Sequence, residues 1–249
     1  ACHREAVEAE PEHVGAHRNL AALLADTGEL DEAIAVLRQA IAIDPGFSEG
    51  HSRLGALLKK TGELGEALEV IQRALELDPS HAKTRFKLGS LLIASKQVAK
   101  GLEYLWKAYT SLQTDLSAHL HFVTTLKNIG RYQEAARVYR QGLDHFPYDT
   151  GLQTGLAWLL ATCPDDQVRD GEEALKWARK ATEFSTDART LEILAAAFAE
   201  TGDFKAAARN ATQAKEMLLK TGAFPAVEQL ETRLALYRER QPYRGFDRF

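Results

Sequence analysis

The fold is decided by residues 48–81, whose sequence is SEGHSRLGALLKKTGELGEALEVIQRALELDPSH. This stretch predicts two short helices joined by a turn. Gly62 marks the end of the first helix, because glycine readily adopts the positive φ of a helix C-terminus. Apolar residues from Ala67 to Leu77 recur at helical spacing and form the second helix. Pro79 ends it, since proline disfavours helix in the residue before it.

The same layout recurs every 34 residues on both sides of this stretch, with small residues falling on small ones and large apolar residues on large ones. The matching positions are Leu20, Ala21, Leu24, Gly28, Ala33, Leu37, Ala40 and Pro45, then Leu88, Gly89, Leu92, Gly101, Leu105 and Ala108, then Phe122, Leu126, Gly130, Ala135, Tyr139, Gly142 and Pro147. A 34-residue helix–turn–helix period with this layout is the signature of tetratricopeptide repeats (TPRs). The sequence resembles that family, in its bacterial multi-repeat form, over nearly its whole length. The resemblance implies an all-α fold, a right-handed superhelical solenoid with a C-terminal capping helix.

The period divides the chain into six units. They occupy residues 14–47, 48–81, 82–115, 116–149, 150–187 and 188–221. Residues 1–13 are interpreted as the end of a truncated preceding repeat, and residues 222–249 as the capping helix and a tail. In the capping helix Val227, Leu230, Leu234 and Tyr237 mark the apolar face, whereas Arg233 is assigned to the polar face. The tail from Tyr243 to Phe249 is expected to be loosely attached.

Two units depart from the pattern. In the third, Lys96 replaces the turn glycine and Gln113 stands where proline is expected. In the fifth, the sequence TCPDDQVRDGEEA delays Ala174 by five residues, which predicts a lengthened turn between its two helices.

Composition limits the possible functions. The formal net charge of −4 argues against a general nucleic-acid binder, whose binding surface would be basic. Cys2 and Cys163 are too few and too far apart for a disulfide framework or a zinc knuckle. No apolar run approaches the length of a membrane span. A soluble segment without membrane insertion is therefore expected, in either the cytoplasm or the periplasm.

The sequence contains no phosphate-binding loop, zinc-protease helix, nucleophile elbow or dinucleotide fingerprint. We therefore predict no catalytic residues, no metal site and no cofactor. His17, His51 and His119 share one repeat position, which favours a packing role. Cys2-His3 is compatible with the end of a severed haem-attachment motif, but both residues also fit the repeat register, which is the better interpretation.

The resemblance places the partner-binding surface on the first helix of each unit, where successive first helices line a concave groove. The predicted groove residues are Arg18, Asn19, Arg53, Lys59, Lys60, Lys83, Phe86, Lys87, Leu120, His121, Lys127, Asn128 and Trp158. Basic residues dominate this set, and Glu49 is the single acid predicted among those of the middle units. Such a stripe predicts an acidic peptide or partner segment as ligand.

The set partly resembles TPR carboxylate clamps that bind acidic chaperone termini. Arg18, Lys83 and Lys87 stand at matching positions, whereas Ala22 and Arg53 replace the two clamp asparagines. The prediction is therefore a non-catalytic interaction scaffold with a looser preference for acidic peptides. The alternative is that the chain is the interaction region of a larger enzyme or membrane-associated protein, for example a glycosyltransferase. Its catalytic part would then lie upstream of residue 1.

Overall fold

The computed structural model describes residues 2–246, and within that range the chain forms helices and connecting turns without any strand. The helices are α1 Cys2–Ala9, α2 Val14–Thr27, α3 Leu30–Ile43, α4 Ser48–Thr61, α5 Leu64–Leu77, α6 Ala82–Ala94, α7 Val98–Tyr109, α8 Leu116–Asn128, α9 Tyr132–His145, α10 Thr150–Thr162, α11 Gly171–Phe184, α12 Ala188–Glu200, α13 Phe204–Thr221 and α14 Phe224–Arg238. The predicted all-α helical-repeat fold is confirmed. Ala1, the Cys2 side chain and residues 247–249 lie outside the described part, so the haem-attachment alternative for Cys2-His3 stays untested there.

The turn after the first helix of a repeat uses the left-handed backbone conformation. Gly28 and Gly62 have φ values of 87° and 92°, and their N–H groups donate to Leu24 and Leu58 in the last turn of α2 and α4. Lys96 occupies the same register with a φ of 64°. The backbone of the third repeat therefore adopts the same left-handed conformation, although a side chain at this position disfavours it.

Small residues at 34-residue intervals let paired helices approach closely. Ala33, Ala67 and Ala135 are completely buried, and so are Ala40, Ala74 and Ala108. Glycine replaces alanine where the backbones of two helices are in direct contact. A Cβ at Gly89 would lie 2.8 Å from the Gly101 carbonyl oxygen, across the contact between α6 and α7. The pattern that defines the repeat therefore also defines its helix crossings.

The chain separates into two compact units, one ending at Leu112 and the other beginning at Gln113. The first contains α1–α7 and the second α8–α14. The division falls within the predicted third repeat, next to the position where Gln113 stands in place of proline. The boundaries of the six repeat units stay a prediction.

Within the first unit, the helices pack in chain order and α4 also contacts α6, so that two first helices lie side by side. In the second unit, α10 contacts α12 in the same way. The connection from Cys163 to Asp170 is longer than the other connections between paired helices, and it is held by the bond from the Asp170 N–H to the Leu160 carbonyl.

Helix α14 packs on α13 through the predicted apolar face, with Leu230, Leu234 and Tyr237 buried. The prediction for Arg233 is wrong, because only 2% of that residue is exposed. Burial of an arginine requires a counter-charge. Glu192 of α12 supplies it by accepting a hydrogen bond from the Arg233 guanidinium.

Candidate functional site

The neighbouring first helices α4 and α6 form a cleft of about 600 Å³ in the first unit. Its lining comes from α4, from the connection before α6, and from α6 itself. The lining residues are Ser48, Glu49, Ser52, Arg53, Asp78, His81, Lys83, Thr84 and Lys87. The structure thus brings together three of the predicted groove residues, Arg53, Lys83 and Lys87.

The Glu49 carboxylate lies among the basic residues of the cleft. Its Oε1 atom accepts from Arg53 Nη2 at 2.6 Å, and its Oε2 atom lies 3.7 Å from Arg18 Nη1. Burial raises the pKa of Glu49, but the bond from Arg53 and the charges of Arg53, Arg18 and Lys87 outweigh it and lower the pKa. Glu49 is therefore ionised at neutral pH and offsets part of the positive charge.

Lys87 is a half-buried cation of the cleft. Its ammonium donates to Ser52 Oγ at 3.0 Å, and Ser52 Oγ also accepts from Thr84 Oγ1 at 3.1 Å. Burial lowers the pKa of Lys87, and the positive charges of Arg53 and Lys83 lower it further, whereas Glu49 raises it. The charge of an anion entering the cleft would oppose this lowering, since it would stabilise the charged ammonium.

The other predicted groove residues of the first unit differ in their exposure. Asn19 and Lys60 are exposed, and Lys59 is half-buried, with its pKa lowered by burial. Phe86 is buried, so this predicted groove residue does not present an open surface to a ligand. The accessible chemistry of this cleft is therefore polar and mainly cationic.

The remaining predicted residues belong to the second unit. Leu120, His121 and Asn128 lie exposed on α8. Lys127 is half-buried, and burial together with the charge of Arg189 lowers its pKa. Trp158 was expected to line an open groove on α10, but only 4% of it is exposed. The surface predicted to be a groove in the second unit is thus covered at Trp158.

Trp158 is covered by Arg233 and by the segment that follows α14. The Arg233 guanidinium carbon lies 5.6 Å from the centre of the Trp158 ring, and the Tyr243 ring lies 6.1 Å from it. The expectation of a loosely attached tail is therefore wrong for residues 243–246. Residues 247–249 lie outside the described part of the chain.

Two acidic side chains of the second unit, Glu192 and Glu200, are also paired with cationic side chains. Glu192 is paired with Arg233, and Glu200 is paired with Arg169 at 3.2 Å and with Arg244 at 2.6 Å. By repeat register Glu192 and Glu200 are groove positions of the sixth unit, which predicts an acidic zone there. The sequence pattern did not indicate Arg233 and Arg244 as the partners of these carboxylates. Both lie outside the period, and only the position of Arg233 on a charged helix face was visible beforehand.

The three histidines at one repeat position are buried packing residues. His51 Nε2 lies 3.2 Å from the Pro45 carbonyl, and His119 Nε2 lies 2.6 Å from the Gln113 carbonyl. Gln153 has the same position in the fifth repeat and donates to the Pro147 carbonyl at 2.7 Å. Among the described side chains, those of residues 3–246, no three His, Cys, Asp or Glu side chains come together as metal ligands would. None of the helices described is long and apolar enough to cross a bilayer.

Two family models match the sequence. One described as "TPR repeat" covers residues 23–62, and one described as "Tetratricopeptide repeat" covers residues 48–81. A comparison with curated proteins gave no match.

Solved structures of similar fold extend the comparison to most of the chain. PilW, described as a widely conserved type IV pilus biogenesis factor, has a TM-score of 0.67 at 19% identity over 88% of this chain and 97% of its own. PilF of Pseudomonas aeruginosa has a TM-score of 0.64 at 20% identity over 86% and 96%. YrrB, described as a TPR protein with an unusual peptide-binding site, has a TM-score of 0.53 at 23% identity over 77% and 96%. At these identities the likeness shows the fold.

Proposed function

Because this chain is a tetratricopeptide repeat protein, we propose that it is an interaction scaffold whose first unit binds an extended acidic segment of a partner protein. Proteins of this fold generally mediate protein–protein interactions and are generally non-catalytic. The bound segment would lie in the cleft between α4 and α6. The observation that carries the proposal is the excess of cationic side chains around that cleft.

Charge complementarity supports an acidic ligand. Arg18, Arg53, Lys83 and Lys87 surround the cleft, against the carboxylates of Glu49 and Asp78. Four cationic side chains thus stand against two carboxylates, and the charge of Glu49 is shared between Arg53, Arg18 and Lys87. A carboxylate placed between Lys83 and Lys87 would gain from both charges, and association would be steered by the surrounding positive potential.

Salt dependence and charge reversal test the proposal. A peptide library is to be screened against the whole chain at low and moderate salt, because exposed charges are screened within about 10 Å at 0.1 M. We expect enrichment of peptides rich in Asp and Glu, and release of these peptides as salt rises. Lys83→Glu should weaken their binding by roughly tenfold or more, which corresponds to about 1.4 kcal/mol.

A matched control separates the cleft from the net charge of the unit. Lys100→Glu makes the same charge change on α7, where the lysine is exposed and outside the cleft. That variant should bind acidic peptides nearly as well as the unaltered chain. Equal losses in both variants, or equal binding of neutral peptides, would refute the assignment of the cleft.

A further inference from the structure

The segment that follows α14 lies on the surface of the second unit that faces ligands in proteins of this fold. Residues 243–246 contact α8, α10 and α12 and reach the start of α9. Two of the residues they touch, Lys127 and Trp158, belong to the predicted groove set. Three more occupy the repeat positions of Lys127 or Asn128 in the fifth and sixth units, and these are Ala161, Thr162 and Glu200. The segment therefore occupies the place of a bound peptide.

Backbone recognition is centred on the C-terminal end of α10. The Gly245 N–H donates to the Thr162 carbonyl at 2.9 Å, and Arg244 Nη1 lies 3.4 Å from the Ala161 carbonyl. Carbonyls in the last turn of a helix lack intrahelical partners and carry the negative end of the helix dipole. Arg244 Nη1 also lies 2.6 Å from Glu200 Oε2. The site thus selects a cationic side chain beside a free N–H.

Aromatic contacts flank this polar centre on both sides. The Tyr243 ring lies 6.1 Å from Trp158, and the Arg233 guanidinium lies 5.6 Å from each of these rings. The Phe246 ring lies 5.1 Å from the Tyr132 ring and 5.5 Å from Lys127 Nζ. Rings at these distances add packing and cation–π attraction at both ends of the segment.

Glycine between the arginine and the second aromatic residue is required by the backbone. Gly245 has a φ of 152°, and a Cβ built on it would lie 2.7 Å from the Tyr243 hydroxyl oxygen. The chemistry recognised is therefore an aromatic residue, an arginine, a glycine and a second aromatic residue.

We propose that the second unit carries a peptide-binding site for a partner segment of this chemistry, and that residues 243–246 occupy the site in cis until such a segment displaces them. The connection from Glu239 to Pro242 tethers them to α14. A short tether gives the cis segment an effective concentration in the millimolar range. A partner segment must therefore compete with it, so weakening the cis contacts should open the site.

Binding of a labelled peptide to the whole chain tests the proposal. The probe is Gln-Pro-Tyr-Arg-Gly-Phe amide, which reproduces residues 241–246, and its binding is followed by fluorescence anisotropy. The double variant Arg244→Glu, Phe246→Ala removes the ion pair with Glu200 and the ring over Lys127. We expect it to bind the probe at least about tenfold more tightly than the unaltered chain, because the cis competitor is weakened.

Two further variants identify the site. Arg240→Glu makes the same charge change at an exposed residue just before the segment and should bind the probe like the unaltered chain. Glu200→Gln, added to the double variant, should weaken the gained binding, since it removes the partner of the probe's arginine. If the double variant unfolds, Phe246→Ala alone provides the same readout, because it leaves the Arg244–Glu200 pair in place.

The proposal is overturned if the double variant loses stability without gaining probe binding, for the segment would then be a permanent part of the fold. It is also overturned if the unaltered chain binds the probe as tightly as the variant. This site is independent of the acidic-peptide cleft of the first unit. Acidic-peptide binding should be unchanged in these variants, so failure of either proposal is recognised separately.

Discussion

Lys96 adopts a left-handed backbone conformation that lysine disfavours. Lys96 has a φ of 64° at the place where Gly28, Gly62 and Gly130 stand in the other repeats. A side chain in this conformation costs about 1–2 kcal/mol, part of which is offset because lysine loses less backbone entropy on folding than glycine. The contacts between α6 and α7 hold the turn in spite of this cost.

Replacing Lys96 with glycine should therefore stabilise the first unit. We expect Lys96→Gly to raise the free energy of unfolding by about 0.5 kcal/mol, measured by urea denaturation. Lys100→Gly is the control, because Lys100 lies in the first turn of α7 with ordinary helical backbone, and a glycine there should lower stability by up to about 1 kcal/mol. A loss of stability in Lys96→Gly would show that its backbone is not strained.

At the scale of elements, the crossing of α6 and α7 depends on two glycines that bring backbone against backbone. A Cβ at Gly89 would lie 2.8 Å from the Gly101 carbonyl oxygen and 2.9 Å from the Leu105 nitrogen. Alanine is usually better than glycine inside a helix, by about 1 kcal/mol. Here it would force the two helices apart.

Gly89→Ala should accordingly lower the free energy of unfolding by about 2 kcal/mol through overpacking. Gly65→Ala is the matched control, because Gly65 lies in α5 with no atom near its missing Cβ. That variant should be neutral or slightly more stable. Thermal unfolding of both variants separates the effect of the α6–α7 contact from that of helix propensity. Equal changes in stability in the two variants would contradict the close approach of α6 and α7.

Helices α9 and α11 are joined by an ion pair whose contribution depends on pH. Arg140 Nε donates to Glu173 Oε1 at 3.0 Å. This bond is the main reason that the pKa of Glu173 lies below its usual 4.5. Since the folded-state pKa is depressed, the pair stabilises the fold above the unfolded pKa and loses that effect as pH falls through the folded value.

Arg140→Gln should thus lower the free energy of unfolding at pH 7 by about 0.5 kcal/mol, a small value because the arginine is half-exposed and screened by solvent. The difference from the unaltered chain should vanish at an acidic pH well below 4.5, where Glu173 is protonated in the folded state as well. Urea unfolding at both pH values measures it. A difference that persists at low pH would assign the effect to packing of the arginine stem.

At the scale of the whole molecule, the repeat makes stability local. Helices contact mainly their neighbours in the chain, and the chain divides into two compact units at Leu112. In such a protein each repeat contributes its own stability and that of its interfaces with its neighbours. Damage should therefore be confined to the unit that contains it.

Ala74→Leu tests this locality, because Ala74 is completely buried on α5 and a larger side chain overpacks its site. We expect a loss of about 1–3 kcal/mol. In native-state hydrogen exchange, amides of α4–α6 should lose protection while those of α10–α13 keep theirs. Uniform loss of protection in both units would contradict the local picture.

Much of the fold was predictable from the period, because each element carries its own signal. Gly62 and Pro79 mark the ends of helices, and Ala67 and Ala74 mark the helix faces that pack closely. The basic residues of the first cleft were predictable for the same reason, since Arg53, Lys83 and Lys87 occupy groove positions of adjacent repeats. Ser52 also occupies a groove position, but its bond from Lys87 and its bond from Thr84 gave no sequence signal, because small polar residues are common on helix surfaces.

The sequence by itself determined the helical-repeat fold, the turn positions and the small residues at helix crossings, because these depend on contacts within a repeat and between neighbours. Only the tertiary structure decided that Arg233 is buried against Glu192, which lies 41 residues away. It also decided that residues 243–246 cover Trp158 and the end of α10, with Arg244 reaching a carbonyl 83 residues earlier. Contacts between residues so far apart in sequence do not follow the repeat period. They form only because folding brings the end of the chain back onto earlier helices.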